Sequence, residues 1–302
     1  METDFVKRPL KSFEPFEWMV KYTPQEVWIV GKGLYLWLAF LFTEICAGAY
    51  FIALFLEFGV GMLVGWLGAL GLGGLFHLLY LGKAMRGWRI PIKVLTSELS
   101  RGLWIIILFG AVGFFQVLPV VISNLPWTAN NLVLNVLMGI ICILLIIHGF
   151  TTMSVVRALP MWNSPMMIPL SLASGIWVGS QIVILLLLLV GSKMALAEAW
   201  TRWSLFFYIG TLIIYLWGGL HSSETAKAST TRLLAGNISI YFYTGVLVIG
   251  IIIPLIITLM IWGTDLIQIS GGLLFLRFLG ALIGDAVMRY CLMKASLYSP
   301  LI

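Results

Sequence analysis

The sequence of 302 residues predicts an all-α integral membrane protein of eight transmembrane helices, arranged as two four-helix bundles. Three observations carry that expectation. Hydrophobic residues make up 61% of the chain and charged residues only 10%, against about 25% charged in a soluble domain. Eight apolar runs each approach or exceed the ~20 residues that a helical bilayer crossing needs. The runs also lack the two-residue alternation of barrel strands, and helices or closed barrels are what satisfies a backbone in lipid.

The expected spans are 33–57, 60–82, 102–123, 131–150, 166–190, 203–221, 241–262 and 271–293. Residues 1–32 are a polar tail without the short apolar core and small-residue cleavage site of a signal peptide, so the first span is expected to act as the insertion signal. Residues 33–150 make the first bundle, 166–293 the second, and 294–302 a C-terminal tail. Glycines within the spans, Gly48, Gly61, Gly65 and Gly68 among them, favour close helix packing. Nothing outside the runs is long enough for a soluble catalytic domain, so whatever the chain does, it does inside the bilayer or through a partner.

Most of the eighteen Lys and Arg residues lie in the two tails and in the connections that follow even-numbered spans. By the positive-inside rule both termini are cytoplasmic. The connection 83–101 is the most basic, with Lys83, Arg86, Arg89, Lys93 and Arg101 around Trp88. It reads either as a solvated positive loop, or as a docking surface with Lys83, Trp88, Arg89 and Lys93 as the contact residues, or as a lid over a site at the end of the second and third helices. The 123–131 and 263–270 connections are short turns on the far side, and Ser222–Ile240 is a long loop.

Ionisable residues inside spans are costly, about 3 kcal/mol each on insertion scales, and face a bundle interior. Glu44 lies well inside the first span. Asp285 and Arg289 are four apart in the last, on one helical face and able to pair. These three are candidates for proton movement or for structural bonding. Arg277, near the start of the last span, is expected to snorkel to the interface. His77, His148 and His221 all lie toward the ends of even-numbered spans. They fall short of the four ligands of a di-haem bundle. His77 lies one turn before Tyr80 and suits hydrogen bonding to a quinone carbonyl. Three scattered cysteines, Cys46, Cys142 and Cys291, do not make an iron–sulfur site. The chain is therefore expected to hold neither haem nor cluster.

Four stretches resemble one family. They are Tyr80-Leu81-Gly82-Lys83-Ala84-Met85-Arg86, Ser97-Glu98-Leu99-Ser100-Arg101-Gly102-Leu103-Trp104, Arg157-Ala158-Leu159-Pro160-Met161-Trp162-Asn163-Ser164 and Gly284-Asp285-Ala286-Val287-Met288-Arg289-Tyr290. Together with the order of the eight spans, they are similar to the NrfD/polysulfide reductase membrane-subunit family, which is related to the dimethyl sulfoxide reductase membrane anchor. The resemblance implies a haem-free anchor subunit of a respiratory oxidoreductase in the cell (cytoplasmic, or inner) membrane. Such a subunit would exchange electrons between menaquinone or ubiquinone and a four-cluster ferredoxin-like iron–sulfur subunit, with a molybdopterin catalytic subunit beyond it and no nucleic-acid partner. The sulfoxide-reductase anchor has a quinol-site His immediately before the Leu-Gly that ends the second span. Here Tyr80 holds that place and His77 is the nearest His. Tyr35 and Lys32 match the polar start of the first helix in polysulfide-type members. The implied quinone site is then Tyr35, His77, Tyr80, Arg86 and Arg101, with Glu44, Asp285 and Arg289 as the proton path. The runner-up function is a secondary transporter, against which stands the lack of an internal repeat.

Overall fold

The computed structural model describes residues 17–82, 84–190, 194–264 and 269–300. Among the described residues, eight helices are long and apolar enough to cross a membrane. They are α1 Gly33–Phe55, α2 Gly59–Tyr80, α3 Glu98–Val121, α4 Leu132–Ser154, α5 Met167–Leu188, α6 Met194–His221, α7 Ser239–Met260 and α8 Gly271–Ala295. Local chemistry sets several starts. The Asn131 side chain accepts from Val133 N and Leu134 N at the head of α4, and Ser97 accepts from Ser100 N at the head of α3. Both are favoured N-cap residues. Within α2 the turns of Ala69–Gly73 widen to a π-helix, as do Phe242–Ile252 in α7, upstream of Pro254. Pro254 cannot donate to the carbonyl four residues back.

The chain is wound around α1 and α5. Their central windows are 83% and 72% buried, against 22–39% for the other six. α1 packs on α2, α4 and α5, while α5 also packs on α4, α6 and α8, and α8 packs on α7. The α1–α5 approach is backbone to backbone. A Cβ placed on Gly48 would collide with the Gly175 carbonyl, and one on Gly179 with the backbone of Gly48 and Ala49. Small residues allow such contact where no water drives helices together.

On the face that carries both termini, two short strands pair antiparallel: β1 Thr23–Pro24 and β2 Leu297–Tyr298. Gln25 reinforces the clasp, donating from Nε2 to Met293 O at 3.0 Å. Trp162 Nε1 donates to Leu292 O at 3.0 Å and ties the α4–α5 connection to the same place.

Three expectations change. The Ser222–Ile240 stretch holds a helix, Glu224–Ala235, capped by Ser223. The 83–101 connection is a 3-10 helix over Ala84–Lys93, and α3 begins at Glu98 rather than 102. α6 begins near 194, not 203. Glu198 and Arg202 make those turns polar in sequence, but Glu198 is buried against a cation inside the bundle. Gly48→Val is predicted to lower the thermal unfolding midpoint by several degrees, overpacking costing about 1–3 kcal/mol. Gly139→Val, at a position with open space around it, is predicted to leave the midpoint unchanged. A thiol-reactive dye reads both, because Cys46, Cys142 and Cys291 are all buried until unfolding.

Candidate functional site

A cavity of about 760 Å³ opens between α1, α2, α3 and α4 on the side of the termini. Its polar wall is His77, Tyr80, Glu98, His148 and Thr152. Gly71 and Gly74 lie in its lining, and neither would meet an atom within 4 Å if given a Cβ. The missing side chains leave the space open. The other walls are apolar, and Leu75, Leu78 and Leu99 are 48%, 63% and 48% exposed. These exposed leucines belong to membrane-crossing helices or their ends, so the cavity opens sideways between α2 and α3 toward lipid.

Ile90, from the Ala84–Lys93 segment, closes the cavity at the membrane surface. The start of α3 holds that segment by its carbonyls. Ser100 Oγ donates to Ile90 O at 2.5 Å and Trp104 Nε1 to Pro91 O at 3.1 Å. Arg101 donates to Val94 O and Leu95 O at 3.1 and 2.8 Å and pairs with Glu98.

Two histidines face this space under different constraints. His77 Nδ1 lies 2.8 Å from Gly73 O. A carbonyl only accepts, so Nδ1 carries the proton and Nε2 is left as acceptor. His148 is 5% exposed. Thr152 Oγ1 donates to His148 O at 2.9 Å and can receive His148 Nδ1–H at 3.4 Å. Phe40 stands between the rings, edge-on to each at 5.9 and 6.1 Å. Gly102 faces the His148 imidazole so closely that any Cβ would strike it.

Behind His148 lies a buried charged centre. Arg289 is 1% exposed. Its Nη1 donates to Glu44 Oε2 at 2.6 Å, its Nε to Asp285 Oδ2 at 2.9 Å and its Nη2 to Ser174 Oγ at 2.9 Å. The Phe150 ring lies 4.9 Å from the guanidinium carbon, and Ser171 Oγ donates to Glu44 Oε2 at 2.8 Å. One guanidinium thus serves two carboxylates, and the trio has no net charge when one carboxyl holds a proton. Glu44 Oε1 and Asp285 Oδ1 have no hydrogen-bond partner among the described residues. The Glu44 carboxylate lies against Gly149, where a Cβ would strike Oε1, next in sequence to His148.

The sequence-predicted residues divide accordingly. His77 and Tyr80 line the cavity. Tyr35 is not in the lining; it is 38% exposed and stacks on Phe76 with centroids 6.4 Å apart. Arg101 lies outside the lining, in the strap that holds the roof. The Arg86 side chain and the whole of Lys83 lie outside the described residues. Trp88, Arg89 and Lys93 are exposed on the surface above, Arg89 lying 5.2 Å over the Trp88 ring. Asp285 and Arg289 pair as their spacing requires, and Glu44 joins them from 245 residues away. Arg277 does not snorkel. It is 1% exposed and forks onto Glu198 at 2.8 and 2.7 Å. A bidentate carboxylate inside the bundle offers it more than the interface does. Sequence reasoning missed Glu98, His148, Thr152 and Glu198. His148 and Thr152, four apart on one face, were the legible sign of a second polar wall.

Arg289→Leu is predicted to destabilise the fold by about 3–5 kcal/mol, because it leaves two buried carboxyls without their cation. Ser174→Ala, which removes one acceptor of Arg289, is predicted to cost less than half as much by the same thiol-dye measurement.

No curated protein matches the chain. A family model described as polysulphide reductase, NrfD, matches residues 103–300, which covers α3 from its first turns through β2. The chain therefore belongs to the NrfD polysulphide reductase family.

Proposed function

We propose that this protein is the quinone-reactive membrane anchor of a respiratory oxidoreductase. In this role it passes electrons between menaquinone or ubiquinone and a four-cluster ferredoxin-like subunit, with a molybdopterin catalytic subunit beyond. Family membership supports the coarser part, a membrane subunit working with redox partners. The observation that carries the finer part is the lateral cavity. Its volume of about 760 Å³ lies within the ~300–1,000 Å³ of small-molecule sites. It joins a few convergent polar groups to an apolar mouth at lipid, which suits a ring with two oxygens on a hydrocarbon tail.

In this reading His77 and Tyr80 meet one side of the head group and His148 the other. Tyr80 donates, while His77 Nε2 accepts a quinol proton. Leu75, Leu78, Leu99, Leu103 and Ile106 pass the tail to the bilayer. A bound quinol supplies two electrons and two protons. His148 takes a proton at its free Nε2, and Glu44, behind it on the α4 side, is the next acceptor, with Arg289 and Asp285 holding its charge. Tyr35, stacked on Phe76 outside the lining, is a further candidate contact for the head group, and Arg101 keeps the roof in place. Trp88, Arg89 and Lys93 lie on the basic surface that receives the partner, and Lys83 and Arg86 are the further candidates the sequence offers for that contact. The excess of Lys and Arg on this side supports a cytoplasmic location for this face and both termini, in the inner membrane of the cell.

Gly74→Leu is predicted to fill the cavity without disturbing the helix, since its surroundings are open. The affinity for a short-tailed quinol analogue should fall at least tenfold in a fluorescence titration, with the unfolding midpoint kept. Unchanged affinity would contradict the cavity as the quinone site.

A further inference from the structure

The face that carries both termini holds a second cavity, which shares no lining residue with the first. It is an open pocket of about 530 Å³ between the surface helix Glu224–Ala235 and Tyr22, the residue just before the strand clasp. The helix packs on the protein through Thr225, Ala226, Ser229, Thr230 and Leu233. Its outward side forms the pocket wall. There Ala228, Thr231 and Ala235 are short, and they leave a groove between the longer Glu224, Lys227 and Arg232.

One carboxylate and two cations therefore line one pocket. Among the described residues none of the three is in a salt bridge. Arg232 carries most of the argument. Its Nη1 is buried yet has no hydrogen-bond partner among the described residues. Burial lowers its pKa, and Glu26, within electrostatic reach, opposes that shift. Glu26 also lies 4.0 Å from Lys294, so it does not serve Arg232 alone. A buried N–H without an acceptor is costly, and an oxyanion is the acceptor that best fits a guanidinium fork.

The setting identifies the source of that oxyanion. Gly236 and Asn237 close the Arg232 end of the pocket and lead directly into α7, which starts at Ser239. Ile240, Tyr241 and Tyr243 are exposed on the first turns of that membrane-crossing helix, and Tyr at such a position suits the headgroup level. The Arg232 end thus sits where lipid phosphates meet α7. Glu224 is eight residues back along the helix, about 12 Å at 1.5 Å per residue, with Lys227 between them. Basic pockets beside membrane spans on the cytoplasmic side are sites for lipid headgroups.

We infer that this pocket binds the headgroup of a glycerophospholipid that carries a phosphodiester and a primary ammonium, as phosphatidylethanolamine does. Arg232 and Lys227 take the phosphodiester oxygens and Glu224 takes the ammonium. The acyl chains descend along the side of α7 that exposes Ile240 and Tyr243. A headgroup without an ammonium satisfies the two cations but leaves Glu224 without a counter-charge. The bound lipid ties the first turn of α7 to Tyr22 and so to the clasp of the two termini. None of this depends on the quinone reading.

Native mass spectrometry of the protein, purified with the subunits it carries and then delipidated, tests the site. The probes are short-chain phosphatidylethanolamine, short-chain phosphatidylglycerol and inorganic phosphate. The variant K227A/R232A is expected to bind phosphatidylethanolamine at least tenfold more weakly than wild type, roughly the effect of removing two charges near the membrane surface. E224Q should weaken phosphatidylethanolamine about fivefold and leave phosphatidylglycerol unchanged, because that headgroup brings no ammonium. Lys32→Ala removes an exposed cation outside the pocket and should change neither. All three variants should keep the wild-type unfolding midpoint by thiol dye. Equal affinity in wild type and K227A/R232A overturns the site, and so does an equal loss in K32A, which would reduce it to general surface charge. A loss of both lipids alike in E224Q overturns the ammonium contact. Displacement of the lipid by inorganic phosphate at equal concentration makes this a site for free anions and overturns the lipid reading. Binding that appears only after the other subunits are stripped away shows that a protein covers the pocket, which also overturns it.

Discussion

The guanidinium of Arg289 cannot remain unpaired in the middle of a membrane protein, and the arrangement of the core follows from that. An isolated charge in a low-dielectric interior is far more costly than any single packing contact. Glu44 of α1, Ser174 of α5 and Asp285 of α8 converge on it. Three helices distant in sequence are thereby locked in one relative rotation and depth. The glycines Gly48, Gly175 and Gly179 let α1 and α5 close to backbone contact on the same axis. Directional polar bonds fix the register, and small residues permit the approach.

The same centre lies directly behind the cavity wall. Its one cation for two carboxylates makes it a natural store for one proton. On one side Glu44 rests against the α4 turn that carries Gly149 beside His148, and His148 is part of the cavity wall. On the other, Asp285 keeps an oxygen without a partner among the described residues, and Tyr208 of α6 is within its electrostatic reach. The π-helical stretch Ala69–Gly73 widens α2 where it passes the cavity, and His77 bonds back to its last residue, Gly73. Such bulges recur at functional sites because they re-aim the following turn. Here the re-aimed turn carries His77 and Tyr80.

Much of this was legible in the sequence. Continuous apolar runs fixed the number and order of the spans, and the four-residue spacing of Asp285 and Arg289 announced their pairing. What hydropathy could not see was long-range satisfaction of charge. Glu198 made the start of α6 look like a loop, and Arg277 looked like an interfacial residue, because each is polar when read alone. Only the fold brings them together across 79 residues. Glu44 likewise appeared solitary, since its cation is 245 residues away. His77 stood out through its closeness to Tyr80, whereas His148, Thr152 and Glu98 each looked ordinary and matter only because α3 and α4 face α2. The helix Glu224–Ala235 was hidden by its polarity, being a surface element with a Ser cap instead of an apolar run.

The central claim is that the cavity between α1, α2, α3 and α4 receives a quinone from the bilayer. A photoreactive quinone analogue with a short isoprenoid tail, cross-linked in native membranes and mapped by mass spectrometry, tests it most directly. The account predicts label on the peptides carrying residues 71–81, 98–106 and 148–156, displaced by excess unlabelled quinol. Label spread evenly over lipid-facing residues, or concentrated around α6 to α8, would contradict it.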